Sequence, residues 1–131
     1  MISVELARRL RDAGVAWEPQ PGDRFVVPDK GIDDTVFVVS DMVVEVHETP
    51  GGRILGFNGT TEWALDSVQA NDVLWLPREG QLRAMLGGRF RRLEAADPGW
   101  VVVVERDGQE HREVDGSAES AYARALLAIL T

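Results

Sequence analysis

The chain has 131 residues, the size of one domain. A chain of this length can bury a hydrophobic core that is stable without covalent cross-links. It contains no cysteine, which excludes a disulfide framework and a cysteine-ligated zinc site. Its net charge of −8 disfavours binding to nucleic-acid backbones, because that mode needs a basic surface. The first residues carry charges where a signal peptide has its apolar segment, and no apolar run approaches the ~20 residues that span a bilayer. We therefore expect a cytoplasmic protein that binds neither nucleic acid nor membrane.

Three stretches have the apolar spacing of an amphipathic helix. Ser3 can cap a first helix over residues 4–13, and Gly14 suits its C-terminal end. Pro77 fits the first position of a middle helix that closes at Gly87, and we expect this helix to pack across the strands on both sides of it. Ser117 can cap a last helix that carries Tyr122, Ala125, Leu126, Ile129 and Leu130 on one face.

Strands are predicted where apolar residues alternate with polar ones or where β-branched residues run together. The predicted strands are residues 24–27, 35–40, 42–47, 53–57, 61–65, 89–94, 100–104 and 109–114. Residues 35–40 are nearly all apolar, which predicts a central strand that is buried on both faces. Residues 109–114 are mostly polar, which favours an edge strand. A helix over residues 62–68 competes with the strand at 61–65.

Short turns join most of these strands, including the tight hairpin turn Asp107-Gly108. Neighbouring strands joined in this way pair antiparallel. The sequence therefore predicts one α+β domain over residues 1–131, with a largely antiparallel sheet on which an N-terminal, a middle and a C-terminal helix pack.

Three segments resemble a pattern found in a family of small uncharacterised bacterial proteins, some of them actinobacterial. They are the Gly-Asp segment with an aromatic residue at 22–25, the Trp-Leu-Pro-Arg segment at 75–78, and the helix that starts near Glu119 and continues through the Ala-Leu-Leu run at 125–127. Some members carry the label "pilus assembly protein", which refers to an ATPase of the chromosome-partitioning type. Such an ATPase needs a glycine-rich phosphate loop with a lysine, and the single lysine here, Lys30, has no such loop around it. The resemblance implies an α+β fold and a bacterial origin, with no catalytic residue and no cofactor.

Tryptophan and arginine side chains give the candidate binding residues. A ligand pocket is mostly apolar with few polar groups, and Trp17, Trp63, Trp75 and Trp100 could line one, although core and rim packing is the favoured interpretation. Arginines cluster on and after the middle helix, where they could grip a phosphate or an acidic partner. Pairing with the acidic first half of the molecule is the favoured interpretation, since residues 1–77 hold 13 acids and 6 bases, a net charge of −7. The arginines are Arg78, Arg83, Arg89, Arg91 and Arg92. The binding residues that we select are Trp17, Trp63, Trp75, Arg78 and Arg89.

Acidic residues and histidines give only weak metal candidates. Glu45 and His47 lie two apart on a predicted strand, so their side chains share a face and could bind a metal or pass a proton. Two ligands are too few for a metal site, and His111 is the only other histidine. The aspartates at 23, 29, 33 and 34 suit an ordinary polar loop better than a cation site. We therefore predict no metal site and no cofactor.

The favoured hypothesis is a non-catalytic module that binds a protein partner through a tryptophan-containing groove or a sheet face beside the middle helix. The alternative is a small acid-dependent or metal-dependent hydrolase that uses Glu45 and His47. Self-association through the 35–57 hairpin is a third possibility. The sequence does not name a small-molecule ligand.

Overall fold

The computed structural model describes residues 1–28, 36–39, 44–49, 52–57, 67–69 and 73–131; for 44–49, 52–57 and 67–69 it describes the backbone. The chain divides into two compact units, one made of Met1–Ala16 and Leu76–Thr131 and the other of Trp17–Trp75. The prediction of one domain over residues 1–131 stays a prediction. No helix in the described residues is long and apolar enough to cross a membrane.

The helices and strands of the described residues follow one another in this order: α1 (Val4–Asp12), β1 (Arg24–Val26), β2 (Phe37–Val38), β3 (Val44–Thr49), β4 (Gly52–Phe57), β5 (Ser67–Gln69), β6 (Leu74–Leu76), α2 (Glu79–Leu86), a 3-10 turn (Gly87–Arg89), β7 (Phe90–Ala95), β8 (Trp100–Arg106), β9 (Gln109–Asp115) and α3 (Ala118–Leu130). The α+β class is thus confirmed, with helices near the start, in the middle and at the end.

In the first unit, α3 lies at the centre of the packing. It packs on β8 and β9, and α1 and α2 pack against it in turn. Its buried face includes Tyr122, Ala125 and Leu126, as predicted, whereas Leu130 is 45% exposed. Ser117 caps the helix by accepting a hydrogen bond from the Ser120 N–H at 3.2 Å.

The ends of α1 also follow the prediction. The Ser3 side chain caps the helix by accepting from the Leu6 N–H. The chain leaves the helix through Gly14 at a φ of 100°, and the Val15 N–H donates back to the Leu10 carbonyl at 3.0 Å. Glycine suits this position because it adopts a positive φ without a steric penalty.

The first unit holds the antiparallel sheet β7-β8-β9, with β8 in the middle. Four successive valines of β8, Val101–Val104, are buried. α3 covers the inner face of the sheet, which carries Val102 and Val104. On the outer face, the stems of Arg92 and Arg112 flank Val103 in one row of the sheet. The long apolar stems of arginine can cover a central residue in this way while their charges stay in water.

The second unit holds two further sheets. One has the order β2-β1-β6, with β1 and β2 antiparallel. The other has the order β3-β4-β5, in which both strand pairs are antiparallel and Thr49 pairs with Gly52 at the end of a hairpin. The described strands therefore form three small sheets and not the single sheet that the sequence suggested.

Three predictions about individual elements are wrong. β2 is not a strand buried on both faces, because Val38 is 55% exposed, and among the described strands it pairs with β1 alone. α2 begins at Glu79 with Arg78 as its N-cap, so Pro77 lies before the helix and not at its first position. Within the first unit, the described part of α2 packs chiefly against α3 and not across the strands that follow it. The strand predicted at 61–65 lies outside the described residues.

Candidate functional site

Aromatic side chains form a row in the unit of residues 17–75. The rings of Trp17 and Trp75 are stacked, with centroids 6.3 Å apart and planes 8° from parallel. Trp17 also contacts Phe25 at 5.6 Å, and Phe25 stacks on Phe37 at 5.4 Å. Trp17 packs against a buried cluster that includes Phe25 and Val27. Two of the three selected tryptophans are therefore neighbours, arranged as packing at the rim of a core. Their role in binding stays a prediction.

A buried carboxylate fixes the position of Trp17. Asp23 is 1% exposed, and its Oδ2 atom accepts hydrogen bonds from the Trp17 indole N–H at 2.9 Å and from the Gln20 backbone N–H at 3.0 Å. Its backbone carbonyl accepts from the Val39 N–H at 2.8 Å. Asp23 thus joins the irregular connection at 17–22 to the sheet. It serves there as an acceptor for two part-buried N–H donors.

The other residues selected from the sequence are distributed more widely. Arg78 is the half-buried N-cap of α2, where its N–H donates to the Gln81 side-chain oxygen at 2.9 Å. Arg89 is exposed at the end of the 3-10 turn. Trp63 lies outside the described residues. Glu45 and His47 lie on β3, opposite Gly56 and Ile54, and their side chains are outside the description.

Metal chemistry gains no support from the described residues, which contain no group of three or more His, Asp or Glu side chains placed to hold an ion. The hydrolase alternative on Glu45 and His47 stays a prediction.

The outer face of the β7-β8-β9 sheet carries a ladder of ion pairs. Arg92 donates to both carboxylate oxygens of Glu110 at 2.9 and 3.1 Å, and its Nε donates to Glu94 at 3.0 Å. Arg112 donates to both oxygens of Glu94 at 3.2 and 3.1 Å. The hydrogen bond from Arg112 keeps the pKa of Glu94 below its ordinary value, and that from Arg92 does the same for the pKa of Glu110.

These ion pairs bear on the prediction that the arginines after the middle helix pair with acids of residues 1–77. For Arg92 that prediction is wrong, because the structure pairs it with acids of β7 and β9. Arg83 lies over the Phe90 ring, with its guanidinium carbon 4.4 Å from the ring centroid. Arg91 donates to the Gly88 carbonyl at 2.7 Å. Cross-strand neighbours satisfy Arg92, because the register of the sheet places Glu94 and Glu110 on the same face as Arg92.

Strand β9 presents a free edge. Asp107 and Gly108 form a two-residue turn with φ of 54° and 82°, and Arg106 pairs with Gln109. In such a hairpin the two residues that flank the turn exchange both backbone hydrogen bonds, and the pattern alternates along the ladder. The peptide groups of residues 109, 111, 113 and 115 therefore point towards β8, and those of Glu110, Arg112 and Val114 point away. Within the described part of the chain, no residue pairs with that edge.

A groove borders the inner side of the same strand. It has a volume of about 160 Å³ and lies between α1, α3 and β9. Its lining residues are Arg9, Glu113, Arg124, Leu127, Ala128 and Thr131. The Arg124 Nε donates to Asp115 at 2.9 Å, and the His111 Nε2 lies 2.8 Å from Glu113. The groove is thus a small concavity lined by both charged and apolar side chains.

This groove was not predicted from the sequence. Arg9, Glu113 and Arg124 are far apart in the chain, and only the packing of α1 and α3 brings them together. One feature of the sequence does point to this region. His111 and Glu113 lie two residues apart on a strand, the same spacing that made Glu45 and His47 candidates. The polar pattern of 109–114 did predict the edge strand correctly.

The chain was compared with protein-family models, with curated proteins and with solved structures. No family model, curated protein or solved structure matches it. The resemblance to small bacterial proteins accordingly stays an expectation. The site must be interpreted from its own geometry.

Proposed function

We propose that this protein is a non-catalytic interaction module that binds an extended segment of a protein partner by strand addition to β9. The observation that carries the proposal is the free edge of that strand, where the peptide groups of Glu110, Arg112 and Val114 point away from β8. An added strand gains affinity from main-chain hydrogen bonds and specificity from the side chains beside it.

The exposure of the edge supports this proposal. The side chains of Glu110 and Arg112 are 54% and 50% exposed, and Val114 is 55% exposed. β9 is a regular strand of seven residues, so it offers three outward peptide groups in a row. An added strand would bury the apolar Val114 side chain, and burial of an exposed apolar side chain favours association.

Charge disfavours two of the registers in which a second copy of β9 could be the occupant. Glu110 already forms an ion pair with Arg92, and Arg112 forms one with Glu94. In an antiparallel pairing centred on Arg112, two copies of that arginine would lie opposite each other, and a pairing centred on Glu113 would oppose two carboxylates. Like charges directly opposite each other destabilise a strand pair. A register centred on His111 would instead place Glu110 opposite Arg112, so the choice of a partner strand of different sequence rests on the sedimentation test given below.

The experiment uses the full chain and a library of displayed peptides, from which binders are selected. We expect selected peptides to slow hydrogen exchange at the amides of Glu110, Arg112 and Val114, because an added strand accepts hydrogen bonds from them. Val114→Pro should abolish binding, since proline removes an outward N–H and leaves the bonds to β8 intact. Val114→Thr is the matched control, which keeps the N–H and a β-branched side chain and should bind.

Two results would contradict the proposal. The first is equal affinity of the selected peptides for Val114→Pro and for the unchanged protein. The second is a concentration-dependent dimer in sedimentation equilibrium that Val114→Pro dissociates, which would assign the edge to self-association.

A further inference from the structure

We infer that the strand added to β9 runs antiparallel to it and carries an apolar residue opposite Val114, an acidic residue opposite Arg112 and a basic residue opposite Glu110. These positions are two residues apart, so the partner segment reads apolar-x-acidic-x-basic from its N-terminal end. This inference rests on the proposed function, because it specifies the partner of the same edge.

The three residues of β9 that would read this order share the outer face of the sheet. Val114, Arg112 and Glu110 are spaced by two along a regular strand, so their side chains point to one side. Arg112 donates to Glu94 on that face, and Arg92 donates to Glu110 there. In antiparallel addition, a residue opposite an outward peptide group exchanges both backbone hydrogen bonds with it, and the two side chains lie side by side.

The apolar position follows from the end of an apolar row. Val114 lies opposite Val101 of β8. Val101 is 6% exposed, whereas Val114, at the sheet edge, is 55% exposed. An apolar residue opposite Val114 would continue the row by one strand and remove this side chain from water, which favours association.

The two charged positions follow from the side chains beside Val114. Arg112 is 50% exposed and has Glu94 on the β8 side, so an acid of the added strand would flank its other side. Glu110 lies opposite the like-charged Glu105, so a base across the edge would also offset the repulsion between these two carboxylates. Each pair of opposite charges placed directly across two strands should strengthen binding by up to about fivefold. Because ion pairs already offset much of the charge on this face, the order of the partner's charges matters more than its net charge.

The inner face restricts the residues in between. The residue between the apolar and the acidic position lies opposite Glu113, and the next intervening residue lies opposite His111. A carboxylate opposite Glu113 would face a like charge, which destabilises a strand pair. The first intervening residue is therefore not acidic.

This order also distinguishes a foreign strand from a second copy of β9. The segment from Glu110 to Arg112 is itself acidic-x-basic, and a register centred on His111 would match both charges. The same register places Gly108 opposite Val114, and glycine has no side chain to cover it. A second copy thus satisfies two of the three positions, whereas a strand of the inferred order satisfies all three.

The test uses the full chain and three end-capped synthetic peptides of identical composition. The first is Thr-Val-Thr-Glu-Thr-Lys-Thr, the second exchanges its two charged residues, and the third reverses its whole order. We expect the first peptide to slow hydrogen exchange at the amides of Glu110, Arg112 and Val114. It should bind about fivefold or more tightly than the second, in which like charges lie opposite each other.

Variants of the protein assign the preference to single positions. Replacing the peptide's glutamate by glutamine should weaken binding to the unchanged protein by about twofold or more and have little effect on binding to Arg112→Gln. Arg106→Gln is the matched control, because it removes the same charge from β8 on the opposite face, and it should keep the preference. Glu110→Gln, tested with a peptide whose lysine is replaced by glutamine, gives a second and independent cycle.

The outcomes separate this inference from the proposed function. Equal affinity of the first and second peptides, tighter binding of the reversed peptide, or a preference that persists in Arg112→Gln would overturn the inferred order. If library peptides protect the edge amides without sharing this order, strand addition stands and the order fails. If no peptide protects those amides, both proposals fail.

Discussion

The Trp17 indole N–H donates a 2.9 Å hydrogen bond to the carboxylate of Asp23, a side chain in a residue that is 1% exposed. The same oxygen accepts from the Gln20 backbone N–H. One buried acceptor therefore holds both the aromatic row and the irregular connection before β1. This relationship makes Asp23 a structural residue of the unit formed by residues 17–75.

Asp23→Ala should lower the free energy of unfolding by about 2 kcal/mol, because it leaves two part-buried N–H donors without their acceptor. Urea denaturation, followed by tryptophan fluorescence, measures this change. In a double-mutant cycle with Trp17→Phe we expect a coupling of about 1 kcal/mol, since the two residues share a hydrogen bond. Asp12→Ala, at a side chain that is 71% exposed, should change stability by less than about 0.5 kcal/mol. Equal effects of the two alanine variants would show that burial of Asp23 contributes nothing.

Two glycines should respond to alanine in opposite directions. Gly99 has a φ of 97°, and a Cβ atom there would collide with the Asp115 backbone carbonyl, so Gly99→Ala should destabilise by about 2 kcal/mol or more. Gly80 lies in the first turn of α2, where a Cβ atom meets nothing within 4 Å, so Gly80→Ala should stabilise by about 0.5 kcal/mol. Thermal unfolding of both variants tests the pair. A stable Gly99→Ala protein would mean that the turn before β8 adapts freely.

Alkaline pH should destabilise the protein through Tyr122, its only tyrosine. Burial is the main cause of the raised pKa of Tyr122, and the nearby Glu79 carboxylate raises that pKa further. The folded state therefore keeps the phenol proton when the unfolded chain loses it near pH 10. The resulting stability is full below about pH 10 and is lost as pH rises through the folded pKa.

The measurement is tyrosinate absorbance during an alkaline titration, together with unfolding curves. Among the described residues the Tyr122 hydroxyl has no hydrogen-bond partner, so Tyr122→Phe should be neutral or stabilising by up to about 1 kcal/mol at pH 7. In that variant the free energy of unfolding should also fall less as pH rises above about 10, because it has no phenol to ionise. Glu79→Gln should lower the pKa of Tyr122 without restoring its ordinary value. Destabilisation of more than about 1 kcal/mol by Tyr122→Phe would show that Glu79 accepts from the hydroxyl.

Acid pH should weaken the contact between β9 and α3. Burial alone would raise the pKa of Asp115, but hydrogen bonds from Arg124 and from the Ser117 N–H outweigh it and lower that pKa. A lowered pKa contributes stability that is present above the unfolded value of about 4 and is lost as pH falls through the folded value. Asp115→Asn should therefore cost about 1 kcal/mol or less at pH 7, and the difference from the unchanged protein should shrink below about pH 4. Asp12→Asn serves as the exposed control. A difference that stays constant across this range would rule out the ionised carboxylate as the cause.

Local signals in the sequence determined the helix caps, the hairpins and most strands. Ser3 and Ser117 cap their helices as predicted, because the capping hydrogen bond joins a side chain to an N–H three residues further on. The Asp107-Gly108 turn requires positive φ at both residues, and aspartate followed by glycine supplies it. The sequence also indicated correctly that β9 is an edge strand, because its side chains are mostly polar.

Long-range packing decided the rest. Residues 35–40 are apolar enough for a buried strand, yet β2 lies at an edge, since apolar composition does not tell which strand pairs with which. The groove unites Arg9, Glu113 and Arg124 across more than a hundred residues of chain, and no local pattern encodes that juxtaposition. The sequence by itself thus determined the α+β class and the local turns and caps, whose interactions span a few residues. Only the tertiary structure decided the three small sheets, the partners of the charged side chains and the concave site, because those depend on contacts between segments distant in sequence.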